Sequence, residues 1–400
     1  MPWKESCQVN ERMKFVSRIE EGERMSDVCA EFGISRKTGY KFLNRFRRYG
    51  PVGLYDEPRV AESAPHRLSS ELAALVLTAR KAHPTWGARK LRAWLLTKHP
   101  GLRLPAPSTI GELLKRNGLV KPRRRRRTVP ASTAGRHQAA APNEVWCADF
   151  KGQFRLGNSR YCYPLTISDA YSRYIVGCEG LDDTKGGPAR SVFEVAFREH
   201  GMPDAILTDN GAPFASRGLL GLSQLSVWWL KLDIRHERTE PGHPEQNGRH
   251  ERMHRTLKAE TTRPAAATLL QQQERFDRFV SEYNCERPHE ALNQRPPSAL
   301  YETSNRPFIE RPSEPDYPLH DTSLLVSRCG HLKLPGGRTT PQIYLSTALA
   351  GQRVGLREID DDLVLLSFLS IDLGFVNARN GVFAPFDPRS AKSVTEGPGL

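Results

Sequence analysis

Apolar residues recur at helical spacing through the first third of this 400-residue chain. Residues 10–48 predict three short helices. The first covers Arg12 to Glu20. The second is opened by Ser26 as N-cap and closed by Gly33. The third is capped by Ser35, and its Tyr40, Leu43 and Phe46 recur at three-residue spacing as a buried stripe. Residues 66–120 repeat the plan. Leu72, Leu75 and Val76 mark one helix, Trp86, Leu91 and Leu95 the inner side of another, and Ser108 caps a last helix that ends at Gly118. The stretch between the two sets, "GPVGLYDEPRVAESAPHR", is Pro-rich and predicts an extended linker.

The pattern then changes to alternation. Strands are predicted at 144–150, 160–167, 173–180 and 205–208. A helix lies between the last two, with Pro188 at its start and Gly201 beyond its end. A helical stretch with Trp228 and Trp229 largely buried follows, then a short strand at Ile234. Pro241 and Pro244 stop any earlier helix, and a polar helix runs on to about Glu260. Ala265 to Tyr283 form an amphipathic helix. Strand, helix and strand in this order suit a sheet covered by helices. From Leu324 to Pro385, short β-type runs are split by Gly and Asp turns, which predicts a small β-barrel of SH3-like type. The expected organisation is two all-α units at 1–55 and 66–120, a linker at 121–142, an α/β core at 143–300, the barrel at 320–386 and a disordered tail at 387–400.

Charge sharpens this division. The net charge is +14. Residues 1–140 carry 29 Lys/Arg and 12 Asp/Glu, a net of +17, and the rest of the chain nets −3. An excess confined to one region reads as a polyanion-binding footprint. With it, the two helical units read as helix-turn-helix modules. Arg36, Lys37 and Thr38 project from the N-terminal turn of the third helix, where a recognition helix meets base edges. Arg89 and Lys90 face outward in the second unit. The linker holds Arg123, Arg124, Arg125, Arg126 and Arg127 in one run, which suits phosphates or a minor groove. A solubilising linker is the plainer alternative. Seven cysteines without a C-x-x-C pair argue against a zinc site or a disulfide framework. There is no run of 18 apolar residues and no apolar signal-peptide core, so the expectation is a cytoplasmic, nucleoid-associated protein with no membrane contact.

Three acids stand out in this setting. Asp149 lies in the alternating "NEVWCADFKG", Asp209 just past the strand 205–208, and Glu245 in the first turn of the polar helix, with 35 residues between the last two. Each alone has an ordinary explanation: a strand-end cap, an Asn-Gly turn, a helix-dipole partner. Together they resemble the DDE recombinases, the bacterial insertion-sequence transposases that share the retroviral-integrase catalytic core. "WCADFKG", "YCYPLTISDAYSRYIVG", "LTDNGAPF", "PGHPEQNGRHERMHRTLK" and "YNCERPHEAL" carry the resemblance. It is strong over about residues 140–300 and weaker in the flanks.

That resemblance implies an RNase H-like core and Mg²⁺-dependent cleavage and transfer of DNA strands at the terminal repeats of a mobile element. Asp149, Asp209 and Glu245 would be the catalytic acids and would hold two Mg²⁺ ions, for which Mn²⁺ can substitute. It also implies double-stranded DNA, both element ends and target, as substrate, and at least a homodimer to pair two ends. The chemistry is consistent on its own terms. Two metal ions about 3.5–4 Å apart activate the attacking oxygen and stabilise the leaving one, and Mg²⁺ takes carboxylate oxygens while keeping water. On the polar helix, Glu245, Arg249, Arg252 and Thr256 share one face, with Met253 and Leu257 toward the core and His254 and Lys258 toward the far side. Arg249 and Arg252 are therefore candidate phosphate contacts. Arg252 also occupies, seven positions after Glu245, a place that is basic in the resembling transposases. Two other readings compete: a DNA-binding repressor on the same fold that has lost catalysis, and a structure-specific nuclease. Intact acids argue against the first, and two helix-turn-helix units argue for end recognition over the second.

Overall fold

The computed structural model describes residues 7–57, 68–120, 139–240, 248–335 and 342–386. The chain divides into two compact units at Ser69 and Ser70. Among the described residues, no helix is long and apolar enough to cross a membrane.

The first unit contains α1 (Gln8–Glu20), α2 (Met25–Glu31) and α3 (Arg36–Tyr49). Ser35 caps α3, its Oγ accepting from the Thr38 N–H at 3.2 Å. Gly33 adopts φ +63° after α2, the left-handed conformation that ends a helix most readily at glycine. Two expectations are corrected. Ser26 lies inside the first turn of α2 and its hydroxyl donates to Asp27, so it is no cap. Tyr40 is exposed, and the buried face of α3 is Gly39, Phe42 and Leu43. Gly39 decides that rotation. A Cβ there would come within 3 Å of Cys29 Sγ, Phe15 and Met25, so the helix packs through its glycine and turns Tyr40 outward.

The second unit opens with α4 (Ser70–Ala82), α5 (Ala88–Lys98) and α6 (Pro107–Arg116) around Val76, Trp86, Leu91, Leu95, Ile110 and Leu114. Pro107, not Ser108, begins α6. Proline is pre-set for a helix's first turn, and the N-cap residue is Ala106, which has no side-chain acceptor, so no side-chain cap forms.

Next comes a six-stranded mixed sheet built from β1 (Val145–Phe150), β2 (Phe154–Arg155), β3 (Tyr161–Asp169), β4 (Ile175–Leu181), β5 (Ala205–Thr208) and β6 (Arg235–Arg238). The order is β2-β3-β1-β5-β6, with β4 also paired to β3. β3 runs antiparallel to β1 and β4, whereas β1, β5 and β6 are mutually parallel. α7 (Gly186–His200) and α8 (Gln224–Lys231) pack one core with Trp146, Phe193, Phe197 and Trp229. α9 (Gly248–Thr261) and α10 (Leu269–Cys285) pack a second with Cys162, Ile175 and Phe276. This is the RNase H-like arrangement expected. The strand β4 does not offer its backbone to another chain. Asn284 of α10 accepts from the Ile175 N–H and donates to the Ile175 carbonyl, both at 2.9 Å, and Gln273 does the same for Gly180 and Cys178. Side-chain amides thus close an edge that would otherwise invite pairing.

The C-terminal part differs from the expected barrel. β7 (Thr322–Leu325), β10 (Arg353–Asp360), β11 (Leu363–Phe368), β12 (Ile371–Asn377) and β13 (Phe383–Pro385) form an open antiparallel sheet, with β8 (His331–Lys333) and β9 (Gln342–Tyr344) as a separate pair. No closed barrel forms among the described residues. The apolar face of this sheet is covered instead by Leu219, Leu222 and Val227, which precede or belong to α8. A face buried by a neighbouring layer has no need to curl onto itself.

Candidate active site

The two aspartates meet through strand register. β1 and β5 pair in parallel with Val145 opposite Ala205, Trp146 opposite Ile206 and Cys147 opposite Leu207. Asp149 follows two residues later on β1 and Asp209 just past the end of β5, near enough for the Asp209 charge to bear on the Asp149 carboxyl. Asp209 stands just past the end of β5 in an exposed turn, where its Oδ1 accepts from the Gly211 N–H at 3.0 Å. A side chain at Gly211 would press within 3.2 Å of both Asp209 oxygens, so glycine keeps the carboxylate open. Asn210 pins the turn by donating to the Thr239 carbonyl at 2.7 Å.

Asp149 is mostly buried, and its carboxyl is pushed up to about 7. Burial is the main cause, the Asp209 charge adds to it, Lys151 opposes, and Glu251 on α9 adds further. Negative charge is therefore crowded at the ends of β1 and β5.

Beneath Asp149 lies a polar network that periodicity alone did not disclose. His250 and His254 are both buried on the inner face of α9. Their Nε2 atoms reach the Thr166 hydroxyl at 2.7 and 2.6 Å, and the same hydroxyl lies 3.2 Å from the Asp149 carbonyl. One hydroxyl proton cannot serve three partners. With it donated to the Asp149 carbonyl, both imidazoles donate from Nε2, and His250 Nδ1 accepts from Ser168 Oγ at 2.9 Å. His254 Nδ1 then turns a lone pair toward Asp149 Oδ2 at 3.7 Å. Burial lowers both histidine pKa values, His250 to about 3 and His254 further still. Both rings are neutral, so the 3.7 Å approach is not an ion pair and brings no positive charge to Asp149.

The expectation that His254 faces away from the core is therefore corrected. His250, Met253, His254, Leu257 and Thr261 are the buried positions of α9, a stripe at i, i+3, i+4, i+7 and i+11. The sheet surface beneath them offers Thr166 and Ser168, so histidines fit where apolar residues would be expected. The signal was available as two histidines at i, i+4 in register with Met253 and Leu257.

Glu245 lies outside the described residues. Glu251, six positions later, is exposed on α9 and is the acid of that helix whose charge bears on Asp149. Arg252 is exposed, and its Nε donates to the Gly248 carbonyl one turn back at 3.0 Å. Arg249 is half-buried and points elsewhere. Its Nη1 donates to the Ala170 carbonyl at 3.2 Å, near Arg173, whose own pKa is lowered to about 10 by burial and by the Arg249 charge.

The carboxylates fit a hard divalent cation. Their oxygens are the donors Mg²⁺ prefers, the Asp149 carboxyl is raised first by burial and then by the Asp209 charge, and the neighbouring Cys147 is a buried thiol pushed up to about 12. Among the described residues no three His, Cys, Asp or Glu side chains gather in metal-holding geometry. The described site thus contains two aspartates, with the charge of Glu251 on α9 bearing on Asp149.

Of the expected DNA contacts, Arg36 and Lys37 are exposed at the start of α3 and Thr38 is half-buried beneath them. Arg89 and Lys90 are drawn into a different set of contacts: Arg89 pairs with Glu290 at 2.6 Å, and Lys90 is pushed down to about 8, first by burial and then by the Arg287 charge. Arg123 to Arg127 lie outside the described residues.

Known proteins match the chain in the same places. The integrase core domain family matches residues 139–244 and, in a second form, 232–297. A helix-turn-helix domain matches 11–59 and a homeodomain-like domain 38–114. An uncharacterized protein of insertion element IS476 from Xanthomonas euvesicatoria is 26% identical over 279 residues, covering 69% of this chain and 78% of that protein. An uncharacterized protein of insertion element IS407 from Burkholderia multivorans is 28% identical over 249 residues, covering 62% and 86%. Among solved structures, the HTLV-2 integrase catalytic core domain in complex with magnesium is 16% identical with a TM-score of 0.33, covering 41% of this chain and all of that one.

Proposed function

We propose that this chain, a member of the bacterial insertion-sequence transposases of the retroviral-integrase superfamily, binds the terminal repeats of its element and carries out Mg²⁺-dependent strand cleavage and strand transfer. The observation that carries this reading is the placement of Asp149 on β1 and Asp209 just past the neighbouring β5, close enough that the Asp149 carboxyl, raised first by burial, is raised further by the Asp209 charge. Two bound divalent ions would supply an activated oxygen nucleophile and stabilise the leaving 3′ oxygen. Asp149 and Asp209 would hold them. Thr166, His250 and His254 would keep the Asp149 backbone and ring contacts in place, and Arg252 would hold a phosphate near the scissile bond. Phosphodiester exchange of this kind needs no covalent protein intermediate.

The third ligand comes from the α9 side. The 35-residue spacing favours Glu245, whereas the reach of its charge to Asp149 favours Glu251, and we propose Glu251. Exposed Arg36 and Lys37 on α3, with the net +17 of residues 1–140, would supply end binding with a steep salt dependence. Pairing of two ends would bring two copies of the chain together.

The test is a cleavage and joining assay with Mg²⁺ on duplexes from the DNA that flanks the gene. Metal-dependent cutting at one end followed by joining to target DNA is expected, with loss of both in Asp149→Asn and Asp209→Asn at near-normal end binding. Binding without cutting would select the repressor reading, and cutting without joining the nuclease reading.

A further inference from the structure

Helix α5 was expected to turn Arg89 and Lys90 to DNA, yet it is closed against an acidic strip of the catalytic core. His83, in the loop before it, stacks on the buried Trp86 at 3.9 Å and its Nδ1 meets Glu282 Oε1 of α10 at 2.9 Å. The Trp94 indole N–H donates to Glu286 at 3.3 Å. Arg287 lies 5.9 Å over the Trp86 ring and pairs with Glu260 at 2.7 Å, and Thr85 donates to that same Glu260. The Arg287–Glu260 pair is largely buried, with 7% and 18% of its side chains exposed. This is more than a surface ion pair, because aromatic stacking, an indole donor and a shielded charge pair coincide.

We propose that the second helix-turn-helix module is seated on the core through α5 and the loop before it. This seat takes up the half-buried Lys90, and it sets which phosphate of a bound end reaches the active site. Two further observations support this. In the same module, Ser108, Thr109, Lys115 and Arg116 of α6 stay exposed and are left for DNA. The seat also ends on α9: Glu260 is six residues beyond His254, about 9 Å along the same rigid helix. One helix therefore carries both the module's anchor and the contacts under Asp149. The cutting half of this inference rests on the strand-transfer reading; the seating half does not.

The test uses the full chain with Glu282→Lys/Glu286→Lys, and the milder Glu282→Gln/Glu286→Gln, which keeps side-chain size. Backbone hydrogen exchange over residues 83–98 is measured, then cutting of a duplex from the DNA flanking the gene. The charge reversal is expected to lower protection of 83–98 by roughly tenfold or more. Binding to that duplex should stay within about twofold, while cutting at the wild-type phosphate falls by about tenfold or spreads to neighbouring phosphates. The Gln pair should fall between. Unchanged protection in both variants overturns the seat. Lowered protection with one unshifted cut at the wild-type rate overturns its role in placing the cut. A wild-type protein that cuts nothing removes the strand-transfer reading, and exchange alone then decides the seat.

Discussion

His254 Nδ1 stands 3.7 Å from Asp149 Oδ2 while its Nε2 is held at 2.6 Å by Thr166. The ring is neutral, because burial lowers its pKa well below the usual range. It therefore packs against the aspartate without neutralising it, and brings no positive charge to the site. Removing the ring leaves a cavity and takes one donor from the Thr166 hydroxyl, which keeps the Asp149 carbonyl and His250 as partners. His254→Ala is expected to cost roughly 2–4 kcal/mol of stability and to lower strand cleavage beyond what unfolding explains. His254→Asn should recover part of the cleavage by restoring a donor to Thr166. Denaturant unfolding beside single-turnover cleavage at saturating Mg²⁺ measures both. Full cleavage in a folded Ala variant would end the assignment.

The raised Asp149 carboxyl has a stability consequence with a definite sign. Its folded value is about 7, against about 3.9 for a free aspartate. The folded state thus holds the proton more tightly, and metal-free stability falls as pH rises from about 4 to 7, then levels off. At about 1.4 kcal/mol per unit, the cost at pH 8 is at most ~4 kcal/mol. Asp149→Asn is expected to melt a few degrees above the wild type at pH 8 without metal, and level with it near pH 4. Mg²⁺ should raise the wild-type melting temperature at pH 8 and leave the variant little changed. An Asn variant that melts below the wild type at pH 8 would contradict the crowding of charge around Asp149.

Glu245 and Glu251 make separable demands. Glu251→Gln is expected to abolish cleavage, by about a thousandfold or more for a lost metal ligand, and to lower the Asp149 pKa by removing a neighbouring charge. Glu245→Gln should keep most cleavage. The opposite pattern returns the role to Glu245. Carboxyl titration by NMR in the metal-free protein checks the electrostatic half independently.

Arg252 is exposed, and its Nε donates to the Gly248 carbonyl one turn back at 3.0 Å. Arg252→Ala is expected to change stability by less than about 0.5 kcal/mol and to lower strand transfer by about tenfold or more. Arg252→Lys should recover part, since it keeps the charge and loses the planar fork. A thermal melt beside joining of a pre-cut duplex decides it, and normal joining by the Ala variant returns Arg252 to an ordinary surface residue.

Asn284 satisfies both backbone groups of Ile175 from a nearly inaccessible position. Asn284→Ala leaves a donor and an acceptor unpaired, and is expected to cost about 2–4 kcal/mol. Denaturant midpoints at unchanged slope provide the measurement. A cost near zero would mean that the edge of β4 does not depend on this amide.

Local order alone determined a good deal of this protein. Period-two alternation located β1, β3 and β4 to within two residues, and the run at 205–208 coincides with β5. Ser35 and Gly33 marked the limits of helices because capping and left-handed turns depend only on immediate neighbours. The charge imbalance separated the basic N-terminal third from the core without reference to any fold. Tertiary structure decided the rest, in each case through a partner remote in sequence. The 60-residue offset between β1 and β5 brings Asp149 beside Asp209, and no local pattern encodes that register. Thr166 and Ser168 on β3 made room for His250 and His254 on a face where spacing predicted only Met253 and Leu257. Glu260, Glu282 and Glu286 bonded the loop before α5 and its Trp94, although the sequence of α5 reads as a basic outer face. Leu219, Leu222 and Val227 joined the core of the C-terminal sheet. Periodicity reports which side of an element is buried when the burying surface is apolar. Where that surface is polar or charged, hydrogen bonding and charge pairing determine the outcome, and those depend on which atoms the fold brings within about 3 Å of one another.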